Sequence, residues 1–178
     1  MSDLNKLQNN RALVSIYREH INDTPIQGFI LAHSKKLILL QYVYDFNLDG
    51  IMILQRSDVT NIESDESGIF QTQLLKDEGL YAKVDFSKTY DVKNWETVLS
   101  TIGSSYQFIT LENENPDDYA FMIGKITKLG RKKVFVHEFT CTGTWNEKVS
   151  KMSYKNISFF RAGNNYAKVY ERYFEENL

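Results

Sequence analysis

The chain has 178 residues and a mass of 20.8 kDa, with 42% hydrophobic residues, 25% charged residues and a formal net charge of −2. That length holds one domain or two compact ones, and that much apolar material argues for a packed core and against disorder. A slightly acidic chain is no polycation built for nucleic acid; its single cysteine excludes an internal disulfide framework and a Cys-rich zinc site, and aliphatic runs such as Leu37–Leu40 and Ile51–Leu54 are too short for a membrane-spanning helix.

The stretch from Met1 to Asn10 is polar and has no apolar signal core, so a soluble, cytoplasmic protein without membrane partners is expected. Leu13–Tyr17 alternates and reads as a first strand. A second begins at Gly28–Ala32, and the polar Ser34-Lys35-Lys36 turns it into a third, Leu37–Tyr44. Asp45–Gly50 carries turn chemistry, Ile51–Gln55 resumes as a fourth strand, and Val59–Ile62 continues after the polar Arg56-Ser57-Asp58. Phe70, Leu74 and Leu75 are spaced for one face of a short helix. The polar stretch Asp77–Lys93 marks the boundary, with a linker over 81–93. Asn94 then caps a helix through Trp95, Val98, Leu99 and Ile102, which Gly103 ends. Strands follow at Tyr106–Leu111, Tyr119–Thr127, Lys133–Phe139 and Lys148–Ser158, with turns at Gly130 and Gly143-Thr144. Tyr166, Val169, Tyr170, Tyr173 and Phe174 close the chain at helical spacing.

The two halves share one pattern. With Gly28 set over Gly124, 96 positions on, Ile30 meets Ile126, Lys35-Lys36 meet Arg131-Lys132, and Ile38 and Leu40 meet Val134 and Val136. Further on the separation becomes 95, and Asn61-Ile62 fall on Asn156-Ile157, Gly68 on Gly163, and Leu74-Leu75 on Val169-Tyr170. Short hairpins of this kind are marginal alone, whereas a small curled barrel removes their edges. The expected fold is therefore mainly β with peripheral helices: two tandem small barrels related by internal duplication, the first over 1–80 with a trailing helix and the second over 94–178 with a leading and a C-terminal helix.

Gly28-Phe29-Ile30-Leu31 followed by Leu37-Ile38-Leu39-Leu40, with Ile51-Met52-Ile53-Leu54 and Val59-Thr60-Asn61-Ile62, resembles the second to fifth strands of the Sm-like (SH3-like) barrel. The resemblance implies a bent five-stranded barrel. In that family an Asp and an Asn in the first hairpin and an Arg-Gly in the later loop form a uridine pocket. The matching positions here hold Ser34, Ile38 and Gln55-Arg56, and in the second half Gly130 and Val134, so the resemblance carries the fold without uridine recognition.

Asp45-Phe46-Asn47-Leu48-Asp49-Gly50 matches the first six positions of an EF-hand loop, but Arg56 stands at the twelfth, where that loop needs a bidentate Glu, so a hairpin turn is expected. His20, His33 and His137 lack metal-ligand spacing, and no nucleophile signature surrounds Cys141 in Thr140-Cys141-Thr142. With no P-loop, nucleophile elbow or Rossmann glycines, no enzyme, cofactor or metal is expected.

Charge is more informative. Residues 1–95 carry 10 basic and 13 acidic side chains, and residues 96–178 carry 11 and 10. Over 124–155, Lys125, Lys128, Arg131, Lys132, Lys133, Lys148, Lys151 and Lys155 face only Glu138 and Glu147, with the aromatics Phe135, Trp145 and Tyr154 interleaved. By strand parity Lys125, Arg131 and Lys133 cannot all share one face with Lys128 and Lys132, although loop residues can turn to either side. Acidic clusters lie at Glu63-Asp65-Glu66 and at Glu112-Glu114-Asp117-Asp118. The expected function is non-catalytic binding of a macromolecule, most naturally another protein. The alternatives are RNA or single-stranded nucleic acid on the basic second half together with Trp145, an immunity- or antitoxin-type partnership, and an enzyme with an inter-domain site.

Overall fold

A computed structural model describes residues 3–177; Met1, Ser2 and Leu178, the first two belonging to the polar N-terminal stretch, lie outside them. Among the described residues the protein is mainly β, with ten strands and four α-helices, and it divides into unit 1 (1–92) and unit 2 (93–178).

Unit 1 runs α1 (Leu4–Asn9), β1 (Leu13–Arg18), β2 (Asn22–His33), β3 (Leu37–Tyr44), β4 (Asn47–Gln55), β5 (Asn61–Glu63) and α2 (Glu66–Asp77). Its strands lie antiparallel in the order β5-β1-β2-β3-β4, with a 3-10 turn at Arg56–Asp58 before the last. The expected closure does not occur through main-chain pairing: β5 and β4 stand at opposite ends of that order. The runs Leu37–Leu40 and Ile51–Leu54 are buried at every position, which requires cover on both faces of the strands. Part of that cover comes from segment 81–93, read above as a linker. It brings Tyr81 and Phe86 edge-on to the buried Phe29 ring, at 5.5 and 5.7 Å between centroids.

The helices of unit 1 differ from expectation. The six-residue α1 was not expected, because Leu4 and Leu7, one turn apart, are too few to mark a helical period: its buried residue is Leu4, and its start is set by the Asp3 carboxylate accepting from the backbone N–H of Asn5 and Lys6. Its Gln8 Nε2 donates to the Leu31 carbonyl at 2.9 Å. In α2 the buried residues are Gly68 and Leu75, while Phe70, assigned above to the same face as Leu75, is 64% exposed. Gly68 lets the helix approach closely, since an added Cβ there would stand 2.9 Å from the Leu13 carbonyl oxygen.

The turn expected over Asp45–Gly50 is only two residues long. Asp45 and Phe46 hold φ of 47° and 58°, the left-handed pair of a type I′ hairpin, and Asn47 already belongs to β4. Gly50, at φ 72°, sits where the β3–β4 register slips, a bulge whose carbonyl accepts from Gln41 Nε2 at 2.7 Å. Phe46 is half-exposed and pays for a backbone conformation that suits glycine. Replacing it with Gly, which creates the favoured Asp-Gly hairpin pair, is expected to raise the unfolding free energy by roughly 0.5–1 kcal/mol after the entropic cost of glycine. Urea titration of both chains reads this directly, and an unchanged or lower midpoint for the variant would show that Phe46 is not strained.

Unit 2 runs α3 (Trp95–Thr101), β6 (Ile109–Asn113), β7 (Ala120–Leu129), β8 (Lys133–Glu138), β9 (Ser150–Ser153), β10 (Phe159–Ala162) and α4 (Asn165–Asn177), with strand order β10-β6-β7-β8-β9. It too is unclosed, since β10 and β9 stand at opposite ends. Asn94 caps α3 through its side-chain oxygen and the Thr97 N–H at 2.9 Å, as its sequence position indicates. The single strand expected over Lys148–Ser158 is instead β9, a 3-10 turn at Tyr154–Asn156, and then β10. The turn is held by the Tyr154 N–H donating to the Lys132 carbonyl and its hydroxyl donating to the Gly130 carbonyl.

The registers of the two units correspond at several points, although the β1–β2 slip near Arg18 and the β3–β4 bulge of unit 1 have no counterpart in unit 2. Gly28 lies between Val14 and Tyr42, and Gly124 between Ile109 and Glu138. Against the third strand, the second strand of each unit slips at one position, Leu31 in β2 and Thr127 in β7, again 96 apart. In the last two strands the separation is 98 and not 95: Gln55 opposes Leu37 as Ser153 opposes Lys133, and Ile62 opposes Ile16 as Phe160 opposes Leu111. Asn61-Ile62 thus match Phe159-Phe160, because the connection through 139–149 adds two residues where unit 1 uses the tight hairpin.

Candidate binding face of the second unit

One face of β7, β8 and β9 is covered only in part. Where it is covered, Ile123 of β7 and Phe139 pack with Phe108, Ala167 and Phe174 in a core cluster under α4. Phe108 is fully buried, and its ring meets those of Phe139, Trp145 and Phe174 at 4.9, 5.9 and 5.5 Å. Further along the strands this face becomes basic. Lys125 pairs with His137, Lys128 with Phe135, Phe135 in turn with Lys151, and Lys133 with Ser153. Directly paired residues present their side chains to the same side, and β8 alternates with Val134 and Val136 buried on the other. Lys125, Lys128, Lys133 and Lys151 therefore surround Phe135 and His137 on one surface, and all four lysines are exposed.

Strand parity had separated Lys125 from Lys128. The bulge at Thr127 inserts one extra residue into β7 and resets its phase, so both fall on the same side. No local sequence signal marks that bulge. Arg131 and Lys132 sit in the β7–β8 turn, closed by the Gly130 N–H donating to the Lys133 carbonyl at 2.8 Å. Lys148 and Lys155 lie in the connections on either side of β9, off the ladder.

The aromatic rings on this side are engaged. Lys128 Nζ lies 5.7 Å from the Phe135 ring centre, and Lys125 Nζ lies 5.5 Å from that of Trp145. Trp145, named above with the basic residues, packs against Phe139, Phe174 and the His137 imidazole at 5.4, 5.0 and 4.7 Å. It is a half-buried wall of the core and not an open stacking platform. His137 Nε2 lies 2.8 Å from the Asn146 carbonyl, which can only accept, so this nitrogen carries the proton.

The residues considered for chemistry are not brought together. His20 is exposed in the β1–β2 turn, whereas His33 ends β2 with Nε2 3.2 Å from Asn5 Oδ1. Burial, and then the nearby Arg56 guanidinium, push the His33 pKa below the usual imidazole value, with Asp3 opposing. Cys141 is exposed in a turn whose carbonyl accepts from the Tyr170 hydroxyl at 3.0 Å. Among the described residues no three His, Cys, Asp or Glu side chains group so as to hold a metal ion. An open cleft of about 510 Å³ beside α3 and β7 is lined by Leu99, Ile126, Leu129, Lys125, Tyr106 and Gln107 with neighbouring Ser and Gly residues, and no carboxylate, imidazole or thiol lines it. No helix among the described residues is long and apolar enough to cross a membrane.

No protein-family model matches the chain, and neither the curated proteins nor the solved structures yielded a match.

Proposed function

We propose that the chain is a non-catalytic binding protein of two tandem Sm-like units, and that the basic face of unit 2 takes an acidic surface of another protein. The shared strand order, the bulges at Leu31 and Thr127 and the equivalent settings of Gly28 and Gly124 support a common origin for the two units. The observation that carries the partner reading is the cluster of Lys125, Lys128, Lys133 and Lys151 around Phe135 on a paired three-strand ladder. Such a surface steers and orients an anionic partner. An acidic protein is favoured over nucleic acid because base stacking needs free aromatic faces, whereas Phe135 and Trp145 are already capped by lysines or packed in the core.

The test is fluorescence anisotropy with a labelled Asp/Glu-rich peptide and a labelled mixed-sequence single-stranded RNA of equal charge, at low and at physiological salt. The peptide is expected to bind at least as tightly as the RNA. The Lys128→Glu/Lys151→Glu chain is expected to weaken peptide binding at least about tenfold and to flatten its salt dependence. RNA binding tenfold tighter than peptide binding would transfer the face to nucleic acid, and binding of neither would remove the reading.

A further inference from the structure

Unit 1 carries a surface of opposite character on α2. Ile69 and Phe70 are 67% and 64% exposed, the first being the most exposed large apolar side chain among the described residues. At 100° per residue Glu66, Phe70, Gln73 and Asp77 form the outward ridge opposite the buried Gly68 and Leu75, and Ile69 flanks it. The ridge has a carboxylate at each end. Gln73 Nε2 donates to Asp77 Oδ1 at 2.7 Å along it, and Glu63 and Asp65 precede it while Glu78 follows.

Local stability accounts for only the N-terminal part of this arrangement. Carboxylates near a helix N-terminus are favourable, and the Asp65 side chain indeed caps α2 through the Gly68 N–H. Asp77 and Glu78 at the C-terminus oppose the helix dipole, with Lys76 as the one basic residue of that last turn. Leaving two large apolar side chains in water adds nothing to folding. Ile69, Phe70 and Asp77, which add nothing to α2 or cost it stability, are features a cationic, partly apolar partner would use, and Glu66 completes the acidic pair at the other end of the ridge.

We infer that this ridge docks a basic amphipathic helix of another protein, lying along α2 with its apolar stripe on Ile69 and Phe70 and its Lys or Arg residues over Glu66 and Asp77. The two carboxylates stand eleven residues apart, about 16 Å along the helix, so the partner's cations are about three turns apart. Phosphate-bearing partners, whether nucleic acid or anionic lipid, are repelled by the same carboxylates. The ridge is built from residues of unit 1 alone, and the inference does not depend on the basic face of unit 2.

The experiment titrates the full chain against a labelled Leu/Lys amphipathic peptide of about five helical turns, with a scrambled peptide of identical composition as control. The amphipathic peptide is expected to bind and the scrambled one to bind at least tenfold more weakly. Phe70→Ala is expected to weaken binding roughly thirtyfold, as for a central apolar anchor. Glu66→Gln/Asp77→Asn is expected to weaken binding and to flatten its salt dependence. These side chains are exposed, so circular dichroism should report an unchanged fold in both variants. Backbone amide exchange should slow on α2 when the peptide is bound. Equal binding of both peptides, equal binding by the Phe70→Ala chain, or protection elsewhere than α2 would each overturn the inference. Loss of the acidic-peptide binding assigned to unit 2 would leave it standing.

Discussion

Replacing Gly124 with Ala is expected to unfold unit 2, at a cost on the order of 4 kcal/mol or more. The obstacle is contact. Gly124 lies at the centre of the sheet between β6 and β8, where an added Cβ would fall on the His137 carbonyl oxygen and stand 2.8 Å from the Glu138 Cα. Both groups are backbone in a paired strand, so neither yields without breaking the β7–β8 ladder that carries Lys125 and His137. Gly28, its counterpart, is also tight, with the Gln41 carbonyl oxygen 2.6 Å from such a Cβ, but is less obstructed, so Gly28→Ala is expected to cost less. Both tryptophans, Trp95 and Trp145, belong to unit 2, so intrinsic tryptophan fluorescence during urea unfolding reports that unit alone. A Gly124→Ala chain whose fluorescence midpoint matched the wild type would show that β7 does not approach β8 so closely.

Phe108→Ala is expected to cost about 3–5 kcal/mol, the range for deleting a fully buried aromatic side chain. The ring touches three others, and Lys125 Nζ stands 5.6 Å from its centre. Its loss leaves a cavity between the sheet and α4 that Trp145, braced by Phe139 and Phe174, is not free to fill. The same fluorescence titration gives the shift, and Phe108→Leu, which keeps most of the volume, should recover more than half of it. An Ala variant within 1 kcal/mol of wild type would mean that the cluster is not the core of this unit.

The strand Leu37–Tyr44 was readable to the residue because, Gln41 apart, it is a β-branched, aliphatic and aromatic run bounded by polar turns. Asn94 announced α3 for a similar reason: its side chain satisfies an N–H only three residues away. The structure departs from the local pattern where the determining contact is distant. The six residues of α1 are held by Gln8 reaching Leu31 and by Asn5 reaching His33. The break between β9 and β10 depends on Tyr154 reaching back to Gly130 and Lys132. The exposed Phe70 was grouped with Leu75 because the spacing fits a helix, but spacing alone does not say which arc of the helix meets the sheet.

The candidate face divides in the same way. All eight basic residues and their bias toward the second half were open to inspection in the chain. Their grouping was not, since one extra residue at Thr127 reverses the parity of β7 and brings Lys125 into line with Lys128. Composition and short-range spacing thus settle which segments become strands and helices, because those preferences act between neighbours. The phase of a bulge, the covered arc of a helix and the exposure of a ring are set by atoms far apart in the chain. They come into being only when the pieces pack, which is why Trp145 belongs to the core and the lysines beside it to the surface.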